Sequence, residues 1–359
     1  MNKLLTILGN VAAVALLATS CATKEEPVGK PQEVPQATLT IPPITRADGD
    51  ATADELKINT ARLVIFRTPT PGVWEGGQLV ANRLKSTAGE LAQPFHESVP
   101  VGKIDIYLIV NENVTNANTT TGWTTALNST SLTEAVIENL SRTWSTYATV
   151  NSNVVNAIPM FNSYKGVDIA ADGTMTYNGA PLVISGGTGK ANVLRSIAKV
   201  IVNIDFDNGG QPFAINSLNV MNIPTVSWLA PRPYPYTDAA HFFNGANLSP
   251  AINAAENLNL GKPNRKYTFY LPEYLLTEPY WRTKIHLVAA NKSFDIVLGD
   301  GMGDPLHDQA YMAATNLHAD LRISRNTCYI INIMSITGDV MIVFSTTVMA
   351  WNYIDVPVE

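Results

Sequence analysis

The sequence predicts a mostly β protein built from two β-sandwich domains in series, of the transthyretin-like or immunoglobulin-like type. Three observations lead to this prediction. Hydrophobic residues make up 46% of the 359 residues and charged residues only 15%, which excludes disorder for most of the chain. Strand-like segments recur between turn residues, whereas helix signals are scarce. The length is that of about two ordinary domains.

Residues 1–20 have the pattern of a bacterial lipoprotein signal peptide. Lys3 provides a positive charge, an apolar run follows, and small residues precede Cys21. The run is too short to predict a transmembrane helix. Cys21 is therefore the predicted lipidation site, and the alternative is an ordinary secretory signal followed by an accidental cysteine. The only other cysteine is Cys328, so a disulfide framework and a multi-cysteine zinc site are both excluded.

Residues 21–46 are predicted to be a propeptide that contains one short strand. Its first part is rich in proline, lysine and glutamate, which is typical of an extended tether. Ala37 to Ile41 then alternates between apolar and polar residues, as a half-buried strand does. Two prolines interrupt regular pairing, and Arg46-Ala47 lies before an acidic run of small residues.

Residues 47–190 are predicted to form the N-terminal domain. Strands are expected at residues 61–67 and 103–112, and the second strand places Ile104, Ile106, Leu108 and Val110 on one face. A helix is expected from Ser131 to Leu140. Ser131 would cap it, Glu134 would complete a capping box, and Leu132, Val136 and Leu140 would form its apolar stripe. The rest of 111–156 has the composition of a surface loop. The glycine-rich residues 186–189 give the boundary.

Residues 191–359 are predicted to form the C-terminal domain. Its expected strands cover residues 196–206, 213–223 with a bulge, 266–271, 284–289, 293–298, 326–336 and 340–351. The pair 284–289 and 293–298 flanks Asn291-Lys292, which is a favourable hairpin turn. The last two strands flank residues 337–339 and form a second hairpin. A proline-rich loop carries Trp228, Tyr234 and Tyr236.

The search for catalytic or cofactor chemistry gives negative results. The net charge of −6 and the absence of a basic run argue against nucleic-acid binding. Residues 186–190 resemble a phosphate loop, but Ile184 stands where glycine is required and Ala191 where serine or threonine is required. Asp300 to Asp304 could meet a calcium ion, although a glycine-rich loop explains it equally well. No zinc-protease or serine-hydrolase motif is present. We therefore predict no catalytic residue, no metal, no cofactor and no enzyme activity.

Several segments together resemble the fimbrillins of the Bacteroidetes, the subunits of type V pili. Their order and spacing cover nearly the whole chain, and the lipoprotein signal is a further shared feature. The segments are ARLVIF at 61–66, YLIVNE at 107–112, IPM at 158–160, LRSIAKVIVNI at 194–204, YTFYLPEYLL at 267–276 and RNTCY at 325–329.

The resemblance implies a route of assembly. On this route the subunit would reach the outer membrane as a lipoprotein, and an arginine-specific protease would cut after Arg46, so that the mature chain begins at Ala47. The alternative for Arg46 is an ordinary exposed arginine in a linker. Loss of the segment that contains residues 37–41 opens a groove, which a strand from another subunit fills. The partners are then copies of the same chain together with tip and anchor proteins, in a fimbrium at the cell surface.

The C-terminal tail is the predicted donor strand. Ile354, Val356 and Val358 alternate with polar residues or proline. The segment 340–350 is a second donor candidate, and a plain edge strand is the alternative for the tail. An arginine near the expected cleavage site and the C-terminal tail favour a stalk subunit. The alternative function is a surface lipoprotein that binds glycan or protein through Trp228, Tyr234 and Tyr236, although these aromatic residues could equally belong to a core.

Overall fold

The computed structural model describes residues 35–41, 44–45, 55, 57–68, 77–112, 123–144, 158–182, 191–204, 215–236, 238–243, 246–247, 265–275, 281–289, 292–299, 322–337 and 341–350. Cys21, Arg46, Ala47, the glycine-rich boundary, the segment 300–304 and the tail with Ile354, Val356 and Val358 lie outside these residues. The domain boundary and the predicted site residues therefore remain predictions.

Strands dominate the described residues of the first half of the chain, and three short helices accompany them there. The strands are β1 (Gln36–Ile41), β2 (Ile44–Thr45), β3 (Ala61–Arg67), β4 (Gln78–Lys85), β5 (Phe95–Pro100), β6 (Gly102–Val110), β7 (Ser141–Thr143), β8 (Met160–Ile169), β9 (Met175–Tyr177) and β10 (Ala180–Pro181). The helices are α1 (Ala88–Leu91), α2 (Trp123–Leu127) and α3 (Glu134–Glu138).

The described residues of the second half contain strands and one 3₁₀ turn at Ala239–His241. Its strands are β11 (Ala191–Asn192), β12 (Leu194–Arg195), β13 (Ile197–Ile204), β14 (Ile215–Met221), β15 (Ile223–Pro224), β16 (Val226–Trp228), β17 (Phe242–Phe243), β18 (Ala246–Asn247), β19 (Arg265–Pro272), β20 (Lys284–Ala289), β21 (Lys292–Val297), β22 (Thr327–Thr337) and β23 (Met341–Ala350). The predicted fold class, mostly β with antiparallel sheets that fit a β-sandwich, is confirmed.

The N-terminal half is built on a seven-stranded sheet in which β3 and β6 are central, in the order β10-β9-β8-β6-β3-β4, with β12 added to β8. Both central strands are buried on both faces. Leu63, Ile65 and the predicted set Ile104, Ile106, Leu108 and Val110 point to one face, which we call the groove core. Val64, Phe66, Tyr107 and Ile109 point to the other face, which we call the helix-side core.

Each face of this sheet has its own cover. The ribbon of β1 and β5 contributes Leu39, Ile41 and Val99 to the groove core. Residues of the segment 123–144 cover the opposite face, among them Trp123 and Ile137. The residues of 111–156 outside the predicted helix were expected to form a surface loop, and this is wrong for Trp123 and Leu127, which are buried against the apolar sheet.

The predicted helix cap is displaced by two residues. Thr133 caps α3, and its hydroxyl accepts a hydrogen bond from the Val136 amide at 3.3 Å. The Ser131 hydroxyl instead lies 3.0 Å from that of Ser129. Ile137 is buried while Val136 is 37% exposed, so the predicted apolar stripe is wrong at Val136. A capping box does form in α1, between Thr87 and Glu90.

The C-terminal half is a sandwich of two four-stranded sheets, β19-β13-β22-β23 and β18-β14-β20-β21. Side chains such as Val200, Phe269 and Leu287 fill the space between them, which we call the C-terminal core. The predicted bulge in β14 is confirmed between Ile215 and Ser217, and so is the hairpin of β22 and β23. The β20–β21 turn is one residue earlier than predicted, because Ala289 pairs with Lys292.

Strand β13 joins the cores of the two halves. Its residues Ala198, Val200 and Val202 face the C-terminal core, whereas Ile197 and Ile201 contact the groove core. A second link comes from β7, which pairs with β16 in the other half. The Trp144 indole N–H then donates a 3.0 Å hydrogen bond to the Ser227 hydroxyl.

Candidate functional site: the first strand and its groove

Strand β1 buries one face completely and exposes the other. Ala37, Leu39 and Ile41 are 6%, 1% and 0% exposed, while the polar residues between them remain in solvent. The period of two places all three apolar side chains on the groove core. The sequence prediction of a half-buried strand at Ala37 to Ile41 is therefore confirmed.

One edge of β1 pairs with β5 in antiparallel register, from Gln36 opposite Pro100 to Ile41 opposite Phe95. Among the strands that the structure describes, β5 is the only neighbour of β1 in its sheet. Strand β5 is not predictable from its sequence, because FHESVP mixes polar and apolar residues without a regular alternation. The pattern of β1 was visible in the sequence, and its partner was not.

The other edge of β1 meets the turn between β8 and β9. Gly173 adopts a φ of +84°, and a Cβ atom built there would lie 2.8 Å from the Thr38 carbonyl oxygen. This close approach requires glycine. The turn therefore fits against the middle of β1 only while residue 173 has no side chain.

The solvent face of β1 makes weaker contacts with β5. The Thr40 hydroxyl lies 3.1 Å from His96 Nδ1, and the Ser98 hydroxyl donates a 3.5 Å hydrogen bond to Gln36 Oε1. Both pairs are exposed, so they add little to the binding of the strand. The buried apolar face and the backbone pairing therefore hold β1 in place.

Strand β2 follows β1 directly and runs parallel to β11, with Ile44 opposite Ala191 and Thr45 opposite Asn192. Thr45 is the residue before Arg46. The segment from Gln36 to Thr45 thus pairs first with β5 and then with β11. If the chain were cut after Arg46, both of these pairings would belong to the fragment that is released.

The aromatic residues of the alternative binding function are not displayed at the surface. Trp228 and Tyr234 are 8% and 2% exposed and belong to the C-terminal core. Tyr236 is partly buried and stacks on His241, with ring centroids 3.8 Å apart. The expectation that these residues are exposed for ligand stacking is therefore wrong, because they fill the end of the sandwich.

A cavity of about 450 Å³ lies beside the helix-side core. The Tyr107 hydroxyl lies within hydrogen-bond distance of Glu134 Oε2, at 2.7 Å, and of Glu138 Oε1, at 3.1 Å, and Lys165 pairs with Glu138. Burial, together with these carboxylates, raises the pKa of Tyr107, so the hydroxyl stays protonated as a donor. Burial also raises the pKa of Glu134. These groups satisfy one another and hold α3 against β6.

Metal-binding and membrane-spanning features are absent from the part of the chain that the structure describes. No group of three or more histidine, cysteine, aspartate or glutamate side chains is arranged to hold a metal ion there. Within the same residues, no helix has the length and apolar character needed to cross a membrane. Cys328 is buried at 5% exposure, as expected for a small apolar side chain.

Solved structures similar to this chain include fimbrial proteins. The tip fimbrial protein Mfa3 from Porphyromonas gingivalis, with a C-terminal truncation, has a TM-score of 0.60 and 18% identity, covering 88% of this chain and 99% of that one. A fimbrilin (fimA) from Porphyromonas gingivalis W83 has a TM-score of 0.46 and 13% identity, covering 88% and 97%. A fimbrial assembly protein from Parabacteroides distasonis ATCC 8503 has a TM-score of 0.41 and 11% identity, covering 83% and 90%.

No protein-family model matches the chain, and no curated protein matches it. The likeness to the tip fimbrial protein is therefore one of fold, and it extends over most of both chains. It agrees with the fold that the resemblance to fimbrillins implied.

Proposed function

We propose that the chain is a structural subunit of a type V fimbria, of the stalk kind, which is activated by cleavage after Arg46 and polymerises by donor-strand exchange to support adhesion. The observation that supports this proposal best is β1. It is the first strand that the structure describes; it buries an apolar face, pairs along one edge with β5, and precedes a candidate cleavage site. The fold shared with fimbrial proteins supports the same class of function.

Removal of β1 would leave a site that favours another strand. The apolar groove core would be exposed, and the free edge of β5 would lose its backbone partner. Each of the larger apolar side chains contributes roughly 1.5–3 kcal/mol when buried. A strand from a second subunit would restore both kinds of contact, as in donor-strand complementation. Because this contact does not close on itself, repetition gives a filament.

The tail matches β1 in the spacing of its apolar residues. Ile354, Val356 and Val358 follow the same period of two as Ala37, Leu39 and Ile41. The tail is therefore a suitable donor for the groove that β1 occupies. Lipid on Cys21 would hold the precursor at the outer membrane, and cleavage would release the subunit to the fimbrium. The proposed partners are copies of the chain, tip and anchor subunits, and the arginine-specific protease.

Arg46→Lys tests the proposal directly. Lysine keeps the positive charge but is not a substrate for an arginine-specific protease. The wild-type precursor treated with such a protease should form ladders on a denaturing gel without boiling, and its fibres should begin at Ala47. The Arg46→Lys precursor should remain monomeric.

Arg83→Lys is the matched control, because the Arg83 side chain is 64% exposed and belongs to β4, outside the segment that carries the candidate bond. It should assemble like the wild type. Ladders from Arg46→Lys, or fibres that begin at Cys21, would contradict the proposal. Deletion of residues 352–359 should also block growth, and continued growth would exclude the tail as the donor.

A further inference from the structure

A buried carboxylate lies just after the candidate cleavage site. Glu55 is 0% exposed, and its carboxylate lies 2.9 Å (Oε1) and 3.1 Å (Oε2) from the Lys199 ammonium. The Tyr270 hydroxyl also donates a hydrogen bond to this carboxylate. In the sequence, residues 48–55 form an acidic run of small residues, and nothing in that run predicts a role for Glu55.

The partners of Glu55 lie on the sheet of the C-terminal half. Lys199 is in β13 and Tyr270 is opposite it in β19. Lys199 lies between Ile197 and Ile201, the residues of β13 that contact the groove core, and it is 4% exposed. A buried ammonium without a counter-charge costs several kcal/mol. Glu55 therefore compensates a charge on the face where this sheet meets the groove core.

The residues after Glu55 form part of the groove wall. Ile58 packs against the groove core. The Asn59 amide donates a 2.8 Å hydrogen bond to the Asn111 side chain, which also donates to the Lys57 carbonyl at 2.9 Å. In the uncut chain this segment is held from both directions, by β2 on β11 before it and by β3 after it. After a cut at Arg46, the described contacts that remain at this end of the mature chain are those from Glu55 onward.

The position of the next arginine limits how far such a cut can extend. No arginine lies between Ala47 and Ala61. Arg62 is 2% exposed in the centre of the sheet, where its guanidinium pairs with Glu112 at 2.6 Å. An arginine-specific protease that acts on the folded chain therefore leaves Glu55 on the mature subunit.

We propose that Glu55 is a positioning residue that holds the new N-terminal segment on the body after β1 and β2 leave. Its pairing with Lys199 and Tyr270 keeps Ile58 in the wall of the empty groove, so that the groove retains its shape for the incoming strand. This inference rests on the proposed removal of the segment before Ala47.

The test uses the double variant Glu55→Gln, Lys199→Gln in the full-length precursor. This variant removes the ion pair without leaving one charge alone. Residues 46–52 are replaced by the recognition sequence of a sequence-specific viral protease, so that the cut does not depend on Arg46. The measured quantity is the rate at which a lysine-specific protease cleaves after Lys57, before and after the first cut.

In the uncut precursor, the double variant should be cleaved after Lys57 within about threefold of the wild-type rate, because both ends of the segment are held. After the first cut, cleavage should be at least about tenfold faster in the double variant than in the wild type. Tyr270→Phe should give a smaller increase of the same kind. Lys284→Gln, at a surface pair in the other sheet, is the control and should give no increase.

Equal acceleration before and after the first cut, or none after it, would overturn the role of Glu55. If the double variant does not fold, the cleavage rates after Lys57 before and after the first cut are compared in Tyr270→Phe instead. Ladder formation by the natural precursor is scored separately. If the natural precursor forms no ladders but the cleavage rates after Lys57 are as expected, the donor-strand mechanism is contradicted and the role of Glu55 is supported.

Discussion

Strands β1 and β3 both contribute apolar side chains to the groove core, but they are held in different ways. Strand β1 pairs with β5 alone among the described strands and buries one face. Strand β3 pairs with β4 and β6 and buries both faces. The comparison indicates which strand can be exchanged. Removal of β1 would expose one face of one sheet, whereas removal of β3 would divide that sheet.

Charge sharpens the contrast. The polar residues of β1 lie in solvent. Removal or insertion of this strand therefore moves no buried charge. Strand β3 carries Arg62, whose guanidinium is buried against Glu112 and also donates to Asn128 at 2.7 Å. A buried ion pair makes a strand costly to move, because each charge needs its partner. β1 therefore has the features of a replaceable strand, and β3 those of a permanent one.

Glu112→Gln should have the largest effect, because it leaves Arg62 charged in the centre of the sheet. Breaking a buried pair costs about 3–5 kcal/mol. We expect a loss of this size in the free energy of unfolding, measured by denaturant titration, in both the uncut and the cut protein. Arg83→Gln removes a surface pair and is the control, with a loss of at most about 1 kcal/mol. Similar losses in the two variants would contradict the contrast.

Leu39→Ala should affect only the form that contains β1. Truncation of a buried leucine costs about 2–5 kcal/mol, and this loss should weaken the uncut precursor. After cleavage and release of the strand, the variant and wild-type proteins are identical and should unfold alike. Thr38→Ala, on the solvent face, should change the precursor by no more than about 0.5 kcal/mol. If Thr38→Ala weakened the precursor as much as Leu39→Ala, the one-sided burial of β1 would be wrong.

Gly173→Ala should weaken the contact between the β8–β9 turn and β1, at the edge of β1 that does not pair with β5. A matched control is Gly179→Ala, since Gly179 also has a positive φ, +77°, but a Cβ there would meet nothing within 4 Å. Both variants incur the backbone cost of alanine at positive φ, roughly 1–2 kcal/mol. Only Gly173→Ala adds a clash with Thr38. We expect the β1 amides to exchange hydrogen faster in Gly173→Ala than in Gly179→Ala. Equal rates would show that the β8–β9 turn does not stabilise β1.

The smallest expected effect is a pH dependence of stability. It arises beside the helix-side core, on the face of the sheet opposite the groove core. Burial raises the pKa of Glu134, which faces Tyr107, Asp105, Glu138 and Lys165. A raised pKa in the folded state stabilises the protein at low pH, and this contribution is lost as the pH rises through that pKa. The wild type should therefore lose stability relative to Glu134→Gln just above the usual range of glutamate. Hydrogen exchange of β1 should not follow this change, and a parallel change would show that the two faces are coupled.

The sequence predicted strands best where a regular pattern was long or bounded by clear turns. Ala61–Arg67 was predicted with its bounds, and the alternation at Ala37 to Ile41 gave the buried face of β1. Errors arose where two local signals were equivalent. Ser131 and Thr133 can both cap a helix, and the apolar sheet beneath decided for Thr133 by selecting Ile137 for burial. Trp228 and Tyr234 were ambiguous for the same reason, because an aromatic side chain suits either a core or a binding surface.

The sequence by itself determined the period of two in β1, the existence of the final hairpin and one apolar face of β6, because these depend on neighbouring residues along the chain. Only the tertiary structure decided that β1 lies on β5, that Gly173 closes against Thr38, and that Glu55 compensates Lys199. Each of these contacts joins residues far apart in sequence. Local patterns do not specify such a choice, because it depends on which distant surface leaves the fewest apolar groups exposed and the fewest charges unpaired.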